Sequence, residues 1–138
     1  MDKIGTIVRD SISEFNRIYK VPSNTDPSLL SKDGSKLRFD LMKEELFEYL
    51  YAVDTEDLVE IADSLCDLLY VLLGTVESHG LTPIIDQLYN EVHRSNMSKL
   101  DNDGNPIYRE DGKVVKGPNF TPPNLKLIID NYTSNTKE

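Results

Sequence analysis

The 138-residue sequence has little of several features that would define a protein class. It has one cysteine, Cys66, so an internal disulfide framework is excluded and a reducing cytoplasm is expected. No apolar run approaches the roughly 18 residues that cross a bilayer, and the N-terminal residues lack the apolar core of a signal peptide. Lysine and arginine number 15 against 24 acidic residues, a net charge of −9 that argues against nucleic-acid binding. We therefore expect a cytoplasmic protein that binds neither membranes nor nucleic acid.

Apolar residues instead recur at helical spacing through the first two thirds of the chain. The spacing predicts helices over about residues 3–19, 35–53, 54–78 and 82–99. The third is apolar on most of its circumference, which is typical of the buried centre of a domain. Short connections between such helices favour a four-helix bundle, and the length favours one domain over residues 1–138.

The tail has a different pattern. We expect residues 100–138 to form an irregular tail outside the helical core of about residues 2–99. Asp111-Gly112 is a typical tight turn between the short arms Ile107–Arg109 and Lys113–Val115. The predicted fold is thus all-α, with a small β-hairpin in the tail.

Three carboxylates interrupt an apolar stripe of the second helix. Glu44, Glu45 and Glu48, in MKEELFEYL, fall within about 100° of the helix circumference. Leu41 and Ala52 share that sector, so the glutamates do not lie opposite the apolar face. A solvated acidic face remains the alternative for this helix taken alone.

The third helix repeats the arrangement with Glu60, Asp63 and Asp67 at i, i+3 and i+7. Asp67 lies within LCDLLYVLL, where we expect no outlet to solvent, and an unpaired buried carboxylate costs several kcal/mol. Arg38 and Lys43 are the available partners for the carboxylates on the second helix, and no lysine or arginine occurs between Glu44 and Val92. A divalent cation is the simplest compensation. Carboxylate oxygens without histidine or cysteine favour Mg²⁺, or Mn²⁺, over zinc.

The acidic residues of the second and third helices resemble a known sequence pattern. EELFE at 44–48 and EIAD at 60–63 resemble the EExxE and ExxD motifs of the all-α nucleoside triphosphate pyrophosphatases. That superfamily includes the MazG-like enzymes and phosphoribosyl-ATP pyrophosphohydrolase. The segment from Glu91 to Leu125 also resembles the end of small proteins of this kind, so the resemblance covers residues 37–125. It implies Mg²⁺-dependent hydrolysis of a nucleotide between its α- and β-phosphates, giving a monophosphate and pyrophosphate.

The resemblance also implies roles for the acidic residues. Glu45, Glu48, Glu60 and Asp63 match the metal ligands of the family. Glu44 matches the first glutamate of the signature, and we assign it to orienting or deprotonating the attacking water. Asp67 lies outside the motif; it is either a ligand of a second ion or a hydrogen-bond acceptor behind the ligands.

Donors for the phosphates occur after the acidic stripes. The candidate substrate-binding residues are Arg94, Asn96 and Lys99 near the end of the fourth helix, and Tyr108, Lys113 and Lys116 in the tail. The resemblance implies a phosphate contact by an asparagine and a lysine near this position, which supports Asn96 and Lys99. In the alternative, the basic residues complement the helix dipole and the tail only packs on the bundle or a partner subunit.

Apolar residues beyond the acidic sector of the second helix predict a homodimer or a higher homo-oligomer formed through the helices. Three functions remain open: a house-cleaning pyrophosphohydrolase of (d)NTPs, the same hydrolysis on phosphoribosyl-ATP in histidine synthesis, and a non-catalytic helical dimer that binds a metal or nucleotide.

Overall fold

The computed structural model describes residues 2–136, and the side chains from residue 6 onward except that of residue 7. Its α-helices are α1 (Asp2–Ile18), α2 (Lys32–Asp54), α3 (Leu58–Ser78), α4 (Ile85–Met97) and α5 (Leu125–Thr136), and a 3₁₀ turn (Thr82–Ile84) precedes α4. The chain divides into two compact units, residues 1–83 and 84–138. Among the described residues, no helix combines the length and the apolarity needed to cross a membrane.

In the first unit, α2 and α3 form an antiparallel hairpin. The backbone N–H groups of Glu56 and Asp57 donate to the carbonyls of Val53 and Ala52, which ends α2 in a Schellman motif. Glu56 takes the left-handed conformation there (φ 54°), a position that usually holds glycine. The Asp57 carboxylate then accepts from the N–H groups of Val59 and Glu60 and caps α3. The short connection therefore returns α3 along α2.

Helix α1 packs against the C-terminal half of α3. The rings of Phe15 and Tyr70 meet edge to face at 5.3 Å, and the Ser13 hydroxyl donates to the Glu77 carboxylate at 2.5 Å. The buried Asn16 side chain donates to the Gly74 carbonyl at 3.4 Å. These contacts place the core of the unit around the second half of α3.

The expectation that α3 is the buried centre of the domain is wrong for a single chain. Leu58 and Val59 are each 76% exposed, and Leu65, Leu69 and Leu72 are about half exposed. α3 is covered only on the side that faces α1 and α2, where its own small residues such as Ser64 and Gly74 are buried. A large apolar surface is therefore left on this unit.

In the second unit, the tail folds back along α4. The Ser95 hydroxyl donates to the Thr121 carbonyl at 2.8 Å, and the Thr121 N–H donates to the Ser98 hydroxyl at 3.0 Å. Gly117 approaches the Leu100 carbonyl so closely that a Cβ would lie 2.2 Å from that oxygen. These contacts hold the segment 117–121 against the end of α4.

The prediction of an irregular tail is wrong at its C-terminal end. Residues 125–136 form α5, where an irregular segment was expected. Its start is marked by Asn124, whose side chain accepts from the Leu127 N–H at 3.2 Å. The predicted hairpin is reduced to an isolated antiparallel bridge between Tyr108 and Val114, with Gly112 at the turn (φ 85°).

Candidate functional site

Three carboxylates converge where α2 faces α3. Ligand oxygens of Glu45, Glu48 and Asp67 all lie within 4.8 Å of one another. Glu45 and Glu48 are one turn apart on α2, and Asp67 comes from the middle of α3. Among the residues that the structure describes, no ion pair reaches any of the three. The cluster therefore concentrates negative charge without a protein counter-charge.

Glu45 is the innermost member. Burial, then the charges of Glu48 and Asp67, raise the pKa of the Glu45 carboxyl from 4.5 to about 7. Its Oε2 atom is buried and has no hydrogen-bond partner. An orphaned carboxylate oxygen beside two further carboxylates fits a bound divalent cation, because the cation would satisfy the oxygen and offset the repulsion.

The two nearby basic residues, Lys43 and Arg38, make their described contacts elsewhere and do not pair with the cluster. Lys43 lies with its Nζ 5.8 Å from the centroid of the Phe47 ring, in a groove of about 540 Å³ lined by α2 residues. Arg38 donates to α3 instead, to the Thr75 hydroxyl and the Val71 carbonyl. Local charge pairing therefore does not explain the carboxylates.

The other predicted acidic residues lie around the cluster. Glu60 and Glu48 line one cavity of about 480 Å³ at the closed end of the hairpin. Asp63 is exposed and belongs to neither the cluster nor this cavity. Glu44 is exposed beside Glu45. Asp67 is exposed as well, so the expectation that it lacks an outlet to solvent is wrong.

The second unit contains a separate cavity of about 470 Å³. Asn96, Lys99 and Lys113 line it together with the apolar residues Met97, Leu100, Pro106 and Val114. Neither lysine forms an ion pair with any residue that the structure describes. Three of the six predicted substrate-binding residues thus share one cavity. The apolar wall is the part that the sequence analysis missed, because residues on either side of the turn at 104 build it.

Arg94 has another role in the structure. Its guanidinium donates to Glu91 through Nε at 2.9 Å and Nη2 at 2.8 Å, and to the Thr121 hydroxyl at 2.6 Å. The hydrogen bonds that Glu91 accepts from the Arg94 guanidinium and from the Asn124 N–H lower the pKa of its carboxyl to about 2. Arg94 therefore ties α4 to the tail, and its role in substrate binding stays a prediction.

The last two tail candidates lie outside the cavity. Tyr108 is 62% exposed in the bridge to Val114. Lys116 lies with its Nζ 4.7 Å from the centroid of the Phe120 ring, a cation–π contact. Neither lines the cavity that holds Lys99.

Comparison with known proteins gives the family. Residues 12–96 match the family model of phosphoribosyl-ATP pyrophosphohydrolase. The chain is 31% identical over 126 residues to an uncharacterised protein of Acanthamoeba polyphaga mimivirus, a match that covers 87% of this chain and spans about half (47%) of that protein. A solved structure from Exiguobacterium sp. 255-15, named as a candidate NTP pyrophosphohydrolase, is 25% identical with a TM-score of 0.49, over 94% of this chain and 96% of that one. Because the family model spans more than half of the sequence, the chain belongs to the phosphoribosyl-ATP pyrophosphohydrolase family, as the acidic motifs predicted.

Proposed function

We propose that the protein is a Mg²⁺-dependent nucleoside triphosphate pyrophosphohydrolase that converts a (d)NTP to the monophosphate and pyrophosphate in the nucleotide pool of the cytoplasm. The observation that carries the proposal is the convergence of Glu45, Glu48 and Asp67 within 4.8 Å. Family membership supports the reaction class, since pyrophosphate release is the activity in the family's name.

Glu45, Glu48 and Asp67 would hold the cation, and their all-oxygen donor set suits Mg²⁺ or Mn²⁺. When bound there, such an ion supplies neutralisation of phosphate charge and a lowered pKa of coordinated water. Glu60, across the shared cavity from Glu48, and Asp63, one helical turn further along α3, are proposed as further metal-binding groups.

Glu44 is proposed to orient the attacking water and to accept its proton. Its carboxylate is exposed and adjoins Glu45 in the chain, so it is accessible to solvent beside the cluster. Attack on the α-phosphorus breaks its bond to the bridging oxygen, and pyrophosphate leaves. A carboxylate outside the metal-binding trio is free to take the proton.

Asn96, Lys99 and Lys113 are proposed to contact the nucleotide. Two ammonium groups and an amide on an apolar wall suit a ligand that carries both phosphates and a base. Tyr108 and Lys116 are proposed as weaker contacts of the tail, and Arg94 as a contact only if it leaves Glu91.

A homodimer, or a higher homo-oligomer, is proposed to cover the apolar surface of the first unit. The groove on α2 is lined by one helix alone, with Phe39, Leu46 and Leu50 each more than half exposed. A second copy offers the same apolar stripe, so an isologous contact would bury both.

Phosphoribosyl-ATP is the second candidate substrate, because the matching family model carries that name. A non-catalytic role in binding metal or nucleotide is the third candidate, and absence of turnover would favour it.

The test is pyrophosphate release, resolved from orthophosphate, over a panel of ribo- and deoxynucleoside triphosphates, nucleoside diphosphates and phosphoribosyl-ATP. Wild type is compared with Glu48→Ala and with Glu14→Ala, an exposed carboxylate of α1 that is not a member of the cluster. We expect Mg²⁺-dependent pyrophosphate release by wild type and Glu14→Ala, and a loss of at least about 100-fold for Glu48→Ala. No turnover of any substrate with Mg²⁺ or Mn²⁺ would reject the enzymatic proposal.

A further inference from the structure

The open end of the α2–α3 hairpin contains a polar contact that has no role in the proposed reaction. The Arg38 side chain crosses from α2 to α3, where Nε donates to the Thr75 hydroxyl and Nη2 donates to the Val71 carbonyl, both at 2.9 Å. The guanidinium lies over Gly74, so close that a Cβ at this position would be 2.8 Å from Nη2. A glycine inside a helix is unfavourable by itself, and here it provides the room for Arg38.

The spacing connects this contact to the carboxylate cluster. Arg38 lies seven residues before Glu45 on α2, and Gly74 lies seven residues after Asp67 on α3. Seven residues are two helical turns, about 10.5 Å along either axis. In an antiparallel hairpin, the register that sets Arg38 against Gly74 is therefore the same register that sets Glu45 against Asp67.

The short turn at 55–57 fixes the register at the closed end of the hairpin, and Arg38 makes a directional polar contact that fixes it at the open end. Between α2 and α3 the cluster itself is repulsive, because its carboxylates share no protein counter-charge. Leu65, Leu69 and Leu72 on α3 are each about half exposed, so α2 does not enclose them. Two directional hydrogen bonds from one rigid guanidinium do resist sliding of one helix along the other.

We propose that Arg38 and Gly74 form a register clasp: a positioning pair that keeps Glu45 and Glu48 opposite Asp67 and so maintains the affinity of the cluster for a divalent cation. This inference rests on the proposed metal site. Arg38 would act through the register alone, from a position two helical turns before Glu45 on α2. Burial lowers the pKa of its guanidinium, in agreement with a group that is withdrawn from solvent.

Two substitutions break the clasp from opposite sides. Arg38→Met removes the donors and keeps an unbranched chain of similar reach. Gly74→Ala leaves Arg38 intact, but the new Cβ displaces the guanidinium while improving the helix propensity of α3. Lys36→Met is the matched control, because Lys36 is an exposed cation half a turn away that pairs with Asp40 on its own helix.

The first readout is Mn²⁺ affinity, measured by electron paramagnetic resonance of free Mn²⁺ at a temperature where every variant is folded. We expect the dissociation constant to rise about 10-fold or more for Arg38→Met and for Gly74→Ala. The double variant is expected to be no worse than either single one, since both remove the same contact. Arg38→Lys should recover part of the affinity, and Lys36→Met should stay within about twofold of wild type.

The second readout needs no metal. Spin labels on Cys66 and on Lys36→Cys, both exposed, report the position of α3 along α2. Labelled protein is diluted with unlabelled protein to suppress signals between chains. We expect the distance distribution to broaden, or to shift by at least one residue rise of about 1.5 Å, when Arg38→Met or Gly74→Ala is added.

The outcomes separate the two proposals. An unchanged label distance in both clasp variants, or Mn²⁺ affinity equal to wild type in both, would overturn the clasp. If wild type binds no Mn²⁺ while the label distance still shifts, the clasp sets the register but the proposed metal site is wrong.

Discussion

Replacing Glu45 by glutamine is expected to stabilise the metal-free protein at pH 8 and to have little effect at pH 5. The Glu45 carboxyl titrates near 4.5 in its unperturbed state and with a pKa of about 7 in the folded chain. Between these values the folded state keeps a proton that the unfolded state has lost. The stability of the wild type therefore falls as pH rises through this window and stays low above it. A neutral glutamine at position 45 does not titrate, so the variant does not lose this stability as pH rises.

The structure sets the magnitude. A shift from 4.5 to about 7 corresponds to roughly 3.4 kcal/mol at 1.36 kcal/mol per pH unit. Glu48 and Asp67 are exposed, so solvent screens part of their repulsion, and we expect a gain of about 1–2 kcal/mol at pH 8. Saturating Mg²⁺ should reverse the order, because only the wild type then gains the full free energy of cation binding.

The assay is urea denaturation in EDTA at fixed protein concentration, from pH 5 to pH 8, followed by the same series in Mg²⁺. Glu44→Gln is the matched control, since this neighbouring carboxylate is exposed. Parallel pH profiles of wild type and Glu45→Gln in EDTA would refute the reasoning, because Glu45 would then titrate alike in the folded and unfolded chains.

Three further predictions concern the assembly and the helix ends. Leu50→Glu places a charge in the α2 groove and should weaken self-association at least about 100-fold by light scattering, whereas Tyr89→Glu on α4 should not; a monomeric wild type would contradict this. Gly80→Ala should lower the free energy of unfolding by about 3 kcal/mol, because its φ is 72° and a Cβ would lie 2.0 Å from the Asp26 carbonyl oxygen. Gly112→Ala, equally left-handed but with open space, should lose only about 1 kcal/mol, and equal losses would exclude the clash. Glu56→Gly should raise stability by about 0.5–1 kcal/mol in urea denaturation, since it relieves a left-handed non-glycine residue; an unchanged midpoint would mean that the Schellman turn tolerates glutamate.

Local patterns were sufficient for most of the helices. Apolar spacing predicted α1, α2 and α4 to within a few residues, because periodicity reports which side of a helix is covered. α5 was missed although its signal was present: Asn124 is an N-cap, and apolar residues follow at helical spacing. The prediction instead treated all of residues 100–138 as one irregular tail. α3 was predicted as a helix, but its burial was wrong, since apolarity does not say whether the same chain or another one covers a face.

The sequence by itself determined that two acidic stripes lie on consecutive helices, with no lysine or arginine between Glu44 and Val92, and hence the resemblance to the family. Only the tertiary structure decided which carboxylates meet. Asp67, which lies outside the motif, joins Glu45 and Glu48 in the cluster. Glu60 lines a neighbouring cavity together with Glu48, and Asp63 belongs to neither the cluster nor that cavity. The physical reason is axial register. Residues spaced by seven on one helix share a face, so the sequence shows which carboxylates line each helix. Which carboxylate of α3 lies opposite Glu45 depends on the position of α3 along α2. The turn at 55–57 and the contact of Arg38 with α3 set that position.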